Sequence, residues 1–381
     1  MNYFKTVLTY KIRVVSILFV FLSNSSFAQN DIFGISQFYQ SEQGMKEWNS
    51  LHWNNGIART IQHVDPYDPT DWTEDHSASK SGIYIDGTGI MTMFGSPRFH
   101  VNPQRKSKVD SQAFKNIEFT AYYRKKGITG LDYGGMIVGM RGSANGHGSS
   151  DGDECDAMCY MARFRNDGKW DFEKELKHPN SSYFSTSGYM KQDQLWKGKK
   201  LPENKWIGMK YILENINQNK AVRLRLYIDS ISNGNPKNGG VWQMVGEVID
   251  TGVNWPVSDI TGCQYTDKFR IITDGGNVFF RTDIDTAQYK MVTIREINSI
   301  PTQTPEIQVD NYQTKLVKNG VKIKIITNEV ILKVELIDFF GRIIKTTSLF
   351  NGFINISALS SGLYFIRIQT GEKIVIRSFI V

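Results

Sequence analysis

The sequence predicts an all-β protein: a large jelly-roll β-sandwich followed by a small second sandwich at the C-terminus. Between residues 29 and 300, short strand-like runs are separated by Gly, Asn, Asp and Pro, and no long segment keeps a 3.6-residue period. Runs of this density over roughly 270 residues favour a single sandwich, and the lack of a fixed repeat argues against a propeller or solenoid. The predicted strands of this region cover residues 117–124, 135–141, 158–165, 170–176, 206–213, 222–229, 242–249, 269–273 and 289–294.

The charge distribution argues against nucleic-acid binding. The chain has a net charge of +7, of which residues 1–28 contribute three positive charges and residues 301–381 contribute four. The central region is therefore neutral and offers no broad surface for phosphates. No internal apolar run approaches the roughly 20 residues that a membrane span needs. We expect a monomer with neither a nucleic-acid partner nor a membrane span.

Residues 1–28 predict a signal peptide. A basic segment with Lys5, Lys11 and Arg13 precedes an apolar run over residues 14–22, and small residues lead up to Ala28. The apolar run is too short to span a membrane stably. We expect cleavage after Ala28 and export of the remaining chain, in which residues 29–299 form the jelly-roll domain.

The C-terminal region has the character of a separate small domain. Residues 300–309 are polar with two prolines, which is typical of a linker, and residues 310–381 contain several short alternating strands with Gly at the turns. The motifs in this region are the turn Asp338-x-x-Gly341-Arg342, the segment Ile356-Ser357-x-Leu359-x-x-Gly362-x-Tyr364 and the last strand, residues 373–381. They resemble the type A sorting domain of the type IX secretion system. This resemblance implies an immunoglobulin-like sandwich, the type IX machinery as a partner, and a secreted or outer-membrane surface location.

One hairpin can be predicted in register. Residues 165–169 suit a three-residue loop with Gly168 in the left-handed conformation. Counting outward from this loop gives one face with the pairs Phe164–Trp170, Ala162–Phe172, Tyr160–Lys174 and Met158–Leu176, and an opposite face with Arg163–Asp171, Met161–Glu173 and Cys159–Glu175. A two-residue loop would mix the two faces. We expect the mostly apolar face to lie on the core and the charged face to point elsewhere.

The alternating carboxylates of this hairpin have two interpretations. Asp171, Glu173 and Glu175 could form a solvated surface on which Arg163 makes an ordinary cross-strand pair. They could instead line a carbohydrate groove on the concave sheet, where two carboxylates act as general acid and nucleophile. The Asp-x-Glu-x-Glu pattern resembles the strand motif of laminarinase-type glycoside hydrolases. The order there is Glu, Asp, Glu, so the two roles stay unassigned.

The same region carries the residue types of a lyase for anionic polysaccharides. Such an enzyme neutralises a uronate with a cation or amide, removes the adjacent proton with His, Lys or Tyr, and uses an acid such as Tyr160 or Tyr183. The candidate catalytic residues are Arg141, His147, Arg163, Lys174, Glu173 and Glu175, and the candidate substrate-binding residues are Tyr160, Asp171, His178, Trp72 and Trp196. We expect the two tryptophans to be exposed, because their neighbours are polar. The overall pattern is similar to the concanavalin-A-like group of polysaccharide lyases and glycoside hydrolases, although the strand motifs of alginate lyases are not visible.

An acidic cluster lies in the long Gly- and Ser-rich loop that follows Arg141. Asp151, Asp153, Glu154 and Asp156 could supply oxygen ligands to a structural Ca²⁺, although a solvated polar loop is the alternative. No cofactor is required for either kind of polysaccharide cleavage.

The three cysteines leave the disulfide pairing open. Export permits a disulfide, and either Cys155 or Cys159 could pair with Cys263.

The sequence therefore predicts a secreted or surface-delivered protein that acts on a polysaccharide. Cleavage by β-elimination is slightly favoured over hydrolysis, because Arg, Lys and His accompany the carboxylates. The alternatives are a non-catalytic glycan-binding or adhesion module and a purely structural surface protein.

Overall fold

The larger part of the molecule is a sandwich of two antiparallel sheets. The computed structural model describes residues 29–39, 45–62, 64–68, 72–75, 82–95, 97–101, 114–127, 131–142, 154–196, 198–258, 260–263, 266–283, 286–298, 315–319, 322–326, 331–338, 342–347, 353–370 and 374–381. Within these residues, each of the two large sheets has nine strands.

The sheets are named A and B. Sheet A contains β1 (Glu47–Asn49), β2 (Arg59–Ile61), β4 (Gly82–Ile85), β5 (Met91–Phe94), β7 (Ile117–Lys125), β14 (Trp206–Ile216), β15 (Ala221–Asp229), β16 (Gln243–Asp250) and β18 (Thr286–Glu296). Sheet B contains β3 (Trp72–Asp75), β6 (Arg98–Val101), β8 (Gly135–Gly142), β9 (Cys159–Arg165), β10 (Lys169–Lys177), β11 (Asn180–Ser185), β12 (Gly188–Tyr189), β13 (Asp193–Gln194) and β17 (Asn277–Arg281). The strand order is β16-β15-β14-β7-β18-β5-β4-β2 in sheet A and β12-β11-β10-β9-β8-β17-β6-β3 in sheet B, while β1 pairs with β18 and β13 with β10. Two short 3-10 helices cover Ser50–Asn54 and Glu154–Ala157.

The main core lies between the two sheets, because alternate residues of each strand point inward. Phe172 on β10 and Tyr211 on β14 are both fully buried, and their rings stack across the sandwich with centroids 5.8 Å apart. The prediction of a large β-sandwich with a second, smaller sandwich at the C-terminus is confirmed. Among the described residues, no helix has the length and apolarity needed to cross a membrane.

The predicted hairpin register is confirmed for six of the seven predicted pairs, and the seventh, Met158 with Leu176, is not part of the observed ladder. β9 and β10 pair Phe164 with Trp170, Arg163 with Asp171, Ala162 with Phe172, Met161 with Glu173, Tyr160 with Lys174 and Cys159 with Glu175. Gly168 has a φ of 82°, and its N–H donates to the carbonyl of Arg165 at 3.1 Å. The three-residue loop therefore sets the register, as its sequence predicts.

The strand predicted over residues 269–273 is wrong, because this segment has no strand pairing. Side chains satisfy part of its backbone instead. The N–H of Ile272 donates to the hydroxyl of Tyr160 at 3.2 Å, and the carbonyl of Ile272 accepts from Nη1 of Arg141 at 2.6 Å. Ile272 is thus buried without a ladder partner.

The smaller sandwich is built from two sheets. One contains β19 (Lys315–Asn319), β20 (Lys322–Ile326) and β23 (Phe353–Asn355), and the other contains β21 (Ile331–Asp338), β22 (Ile343–Thr347), β24 (Leu363–Thr370) and β25 (Ile374–Ile380). The predicted Asp338–Arg342 turn has a physical basis. Both Nε and the backbone N–H of Arg342 donate to the carboxylate of Asp338, at 2.7 and 2.9 Å. On the neighbouring strands, Ile337 and Phe365 are buried in the core cluster of the large sandwich, so the two domains are in contact.

The segment at residues 29–39 covers the outer face of sheet A. There the buried carboxylate of Glu118 accepts from Nζ of Lys210 at 2.7 Å, from Nη2 of Arg295 at 2.8 Å and from the N–H of Phe38. Burial opposes ionisation, but the two cations hold the pKa of Glu118 below its usual value. This segment therefore completes a buried ionic network.

Candidate functional site

The outer face of sheet B carries a row of ionisable side chains. Asp171, Glu173 and Glu175 alternate along β10 with the core residues Phe172 and Lys174, so their side chains leave the sheet on the side opposite the core. They are nevertheless almost fully buried, with Glu173 only 5% exposed. The solvated surface considered from the sequence is therefore wrong, because carboxylates at this depth need charged or polar partners.

Arg163 on β9 binds two of these carboxylates. Its Nε and Nη2 donate to the two oxygens of Asp171 at 2.7 and 2.8 Å, and its Nη1 lies 3.1 Å from Oε2 of Glu173. Gln192 also donates to Asp171, at 2.8 Å. Burial disfavours the charged guanidinium, but the carboxylates more than compensate and raise the pKa of Arg163. Both carboxylate oxygens of Asp171 are thus bound by Arg163.

Glu173 lies at the centre of the face. Burial raises its pKa more than Arg163 lowers it, and the neighbouring Glu175 adds to the rise. Tyr183, opposite Glu173 on β11, places its ring 4.6 Å from the guanidinium of Arg163. Burial also raises the pKa of Tyr183. A carboxyl group held toward its protonated form can act as a general acid.

Glu175 pairs with a histidine at the edge of the face. Nδ1 of His178 lies 2.9 Å from Oε1 of Glu175, and the histidine side chain is 32% exposed. The N–H of His178 donates to the carbonyl of Glu154 at 2.8 Å. This position places His178 between the buried carboxylate and solvent.

A disulfide fixes the corner next to His178. Cys155 pairs with Cys263, one of the two alternatives that the sequence left open, and Cys159 is buried outside this disulfide. Nζ of Lys177 donates to the carbonyl of Thr261 at 2.7 Å, so β10 is tied to the same loop. The C-terminal end of β10 is therefore fixed by the neighbouring disulfide and by the hydrogen bond of Lys177.

The structure adds residues that sequence reasoning missed. Across strands β9, β8, β17 and β6, the residues that lie side by side are Met161, Gly139, Phe279 and His100. Two residues further along β17, Arg281 lies beside Arg98 of β6 on the same face of the sheet. The ring of Phe279 occupies the space that a side chain at Gly139 would need. Burial opposes the charge of Arg281, but Asp283, Glu173 and Glu175 raise its pKa. The inward Val278 and Phe280 alternate with these outward residues, and this alternation is the signal that could have identified β17.

Lys174 and Tyr160 lie on the core side of sheet B, away from Glu173. Nζ of Lys174 lies 2.8 Å from Oδ2 of Asp250 and donates to the carbonyl of Trp255, while the hydroxyl of Tyr160 donates to the same carboxylate oxygen at 2.5 Å. Lys174 and Asp250 have fully buried side chains. The structure therefore places these two candidates in a polar network between the sheets, where a polymer cannot reach them.

Arg141 is also separate from the carboxylates of the outer face. It has a φ of 60°, and its guanidinium donates to the carbonyls of Ile272 and Lys115. Burial lowers the pKa of Arg141 to about 10. Arg141 therefore joins the backbones of two other segments, which is a structural role.

Trp196 is buried, which contradicts the predicted exposure. Its side chain packs edge-to-face on Phe164 with centroids 5.8 Å apart, and the backbone N–H of Trp196 donates to the carbonyl of Gly168 at 2.7 Å. The polar sequence context reflects a turn that folds back over the hairpin loop, and the ring fills the end of the core. Trp72 begins β3 opposite Val101, and its side chain lies outside the described residues.

Most of the predicted calcium ligands lie outside the described residues. This applies to Asp151, Asp153 and the side chain of Asp156, and the candidate catalytic residue His147 also lies outside them. Glu154 is exposed and lies 3.5 Å from Nζ of Lys177. Within the part of the chain that the structure describes, no cluster of His, Cys, Asp and Glu could hold a metal ion.

Comparison with known families identifies the smaller domain. Residues 317–381 match the family of secretion system C-terminal sorting domains. The resemblance seen in the sequence is confirmed, and this domain directs the protein through type IX secretion to the cell surface. No characterised protein sequence matches the chain significantly.

Several solved structures resemble part of the chain at low sequence identity and low TM-score. Lectin II from Ulex europaeus has 7% identity and a TM-score of 0.32, covering 64% of this chain and 99% of its own. The metal-free carbohydrate recognition domain of Emp46p has 10% identity and a TM-score of 0.35, covering 66% and 100%. A candidate glycosyl hydrolase from Parabacteroides distasonis has 11% identity and a TM-score of 0.29, covering 60% and 89%. At such scores, nothing about the site follows from these likenesses.

Proposed function

We propose that the protein is a secreted, glycan-active protein that hydrolyses a polysaccharide at the outer face of sheet B. The observation that supports this most directly is the pair Glu173 and Glu175, which share one strand face while burial raises the pKa of Glu173. Glycoside hydrolysis needs two carboxyl groups, one protonated to assist the leaving group and one ionised.

Each carboxyl group has a separate role in this proposal. Glu173 donates its proton to the glycosidic oxygen as the bond breaks, because its buried setting favours the neutral acid. Glu175 acts on the sugar carbon, directly or through a water molecule, and His178 orients its carboxylate. Alternate residues of a strand are about 6–7 Å apart, which brings the two carboxyl groups near the separations known for glycosidases.

The positions of the cations favour hydrolysis over β-elimination. A lyase needs a cation or amide that is available to a uronate. Arg163 is already bound by Asp171 and Glu173, and Arg141 donates to backbone carbonyls. Lys174 lies in the core. We therefore expect a neutral polysaccharide as the substrate.

The test is turnover by the purified full-length chain on a panel of neutral and uronate-containing polysaccharides. Reducing ends are measured beside the ultraviolet absorbance of an unsaturated product. We expect reducing ends without that absorbance, and a loss of kcat of about 10²–10⁴-fold in Glu173→Gln. The matched control is Glu247→Gln, which makes the same change at an exposed position of sheet A and should leave turnover unchanged.

Other outcomes would reject the proposal in distinct ways. Absorbance that rises together with reducing ends would indicate β-elimination. Retention on a polysaccharide gel without any turnover would indicate a binding module, the main alternative from the sequence. Equal turnover in Glu173→Gln and the wild type would show that this carboxyl group is structural.

A further inference from the structure

A cavity lies where the large sandwich meets the sorting domain. This cavity of about 500 Å³ is lined by Trp170 and Asp193 of sheet B, Gln243 of sheet A and Phe379 of the sorting domain. Its volume is within the range of small-molecule sites in proteins. It lies at the end of the sandwich, on the opposite side of sheet B from Glu173.

Gln243 is the most informative residue of this cavity. It begins β16, pairs with the core residue Ile228 and is only 6% exposed. Within the described part of the chain, neither its amide nitrogen nor its amide oxygen has a hydrogen-bond partner. A buried amide with no partner costs free energy, so its retention at a cavity wall indicates a ligand that pairs with it.

The remaining lining defines the chemistry of that ligand. Asp193 accepts a hydrogen bond from the hydroxyl of Thr186, and Trp170 contributes an aromatic ring. No Lys, Arg or His is among the described residues that line the cavity. Amide, carboxylate and hydroxyl groups beside an aromatic ring suit the hydroxyls and apolar C–H faces of a sugar. The carboxylate disfavours an anionic ligand.

We propose that this junction cavity is a binding site for a short neutral oligosaccharide, with Gln243 as its central hydrogen-bonding residue. This site is separate from the proposed catalytic face and goes beyond the hydrolase proposal. Because Phe379 forms one wall, the bound sugar would contact both domains.

Isothermal titration calorimetry of the full-length chain tests the site. The probes are cellotriose, laminaritriose, mannotriose and xylotriose. We expect one of them to bind the wild type, and Gln243→Leu to weaken that binding at least about tenfold. Gln369→Leu, the same change at an exposed position of the sorting domain, should leave the affinity unchanged. Glu173→Gln should also leave it unchanged, because that residue lies on the other face.

Two results would overturn the inference. One is the absence of binding by all four trisaccharides. The other is binding that Glu173→Gln weakens while Gln243→Leu does not, which would assign the sugar to the outer face of sheet B. If Gln243→Leu does not fold, Phe379→Ala decides instead, since it removes the opposite wall and should weaken binding similarly. Unchanged affinity in Phe379→Ala would then reject the site.

Discussion

Replacing Lys174 by methionine separates a structural role from a catalytic one. Methionine preserves most of the side-chain volume, so the change removes mainly the charge. In the folded protein this charge lies 2.8 Å from Oδ2 of Asp250, and both side chains are fully buried. Breaking such a pair leaves an uncompensated buried charge, which typically costs about 3–5 kcal/mol.

The surroundings of Asp250 place the expected cost at the lower end of that range. The carboxylate still accepts from the hydroxyl of Tyr160 at 2.5 Å and from the N–H of Gly252 at 2.7 Å. We therefore expect Lys174→Met to lose about 3 kcal/mol, or about 6–12 °C in Tm for a domain of this size. The double variant Lys174→Met/Asp250→Asn should recover about 2 kcal/mol, because no net charge remains buried.

Urea denaturation followed by tryptophan fluorescence measures these differences, and glycan turnover or binding is measured on the same preparations. The folded fraction of Lys174→Met should keep its activity, since the lysine points into the core. A variant with the stability of the wild type, within about 0.5 kcal/mol, but without activity would refute this reasoning. It would return Lys174 to the catalytic set.

Two further predictions concern the outer face and its supporting corner. If Glu173 is the acid, as proposed, its raised pKa predicts that kcat/KM falls as the pH rises through that pKa. The unfolding free energy should fall in the same pH window, because the folded state binds more protons than the unfolded state. A pH-rate profile and urea unfolding at several pH values test this, and a pH dependence of stability that persists in Glu173→Gln would contradict it. The disulfide of Cys155 and Cys263 joins positions 108 residues apart, so the double serine variant should lose up to about 4.7 kcal/mol of unfolding free energy in denaturant titrations. Cys159→Ala, which keeps the disulfide, is the control, and a double variant as stable as this control would contradict the expectation.

Local patterns predicted the parts of the fold that depend on local contacts. The register of β9 and β10 followed from one loop around Gly168 and from the separation of apolar and charged faces. The sorting domain followed from a turn in which Asp338 holds Arg342 four residues away. In both cases the determining contacts are close in sequence, so the residues themselves carry the information.

The errors came from contacts between distant segments. Lys174 was assigned to catalysis because its partner, Asp250, comes from the other sheet. Trp196 was predicted to be exposed because its neighbours are polar, but the turn that carries it closes one end of the core. Arg281 was missed because only the alignment of β17 beside β8 brings it to the outer face. The sequence of one strand does not show which distant segment lies against it in the fold.

The N-terminal segment has a consequence for the order of folding. Residues 29–39 leave the ribosome before the rest of the sandwich, yet their docking surface is built from Glu118, Lys210 and Arg295. The N–H of Phe38 and the carboxylate of Glu118 are 80 positions apart, and the carbonyl of Tyr39 meets Arg295 across 256 positions. Residues 29–39 therefore reach their final contacts only after nearly the whole domain has been synthesised. The outer face of sheet A is thus completed last, by a segment that precedes every strand of the sheet in the chain.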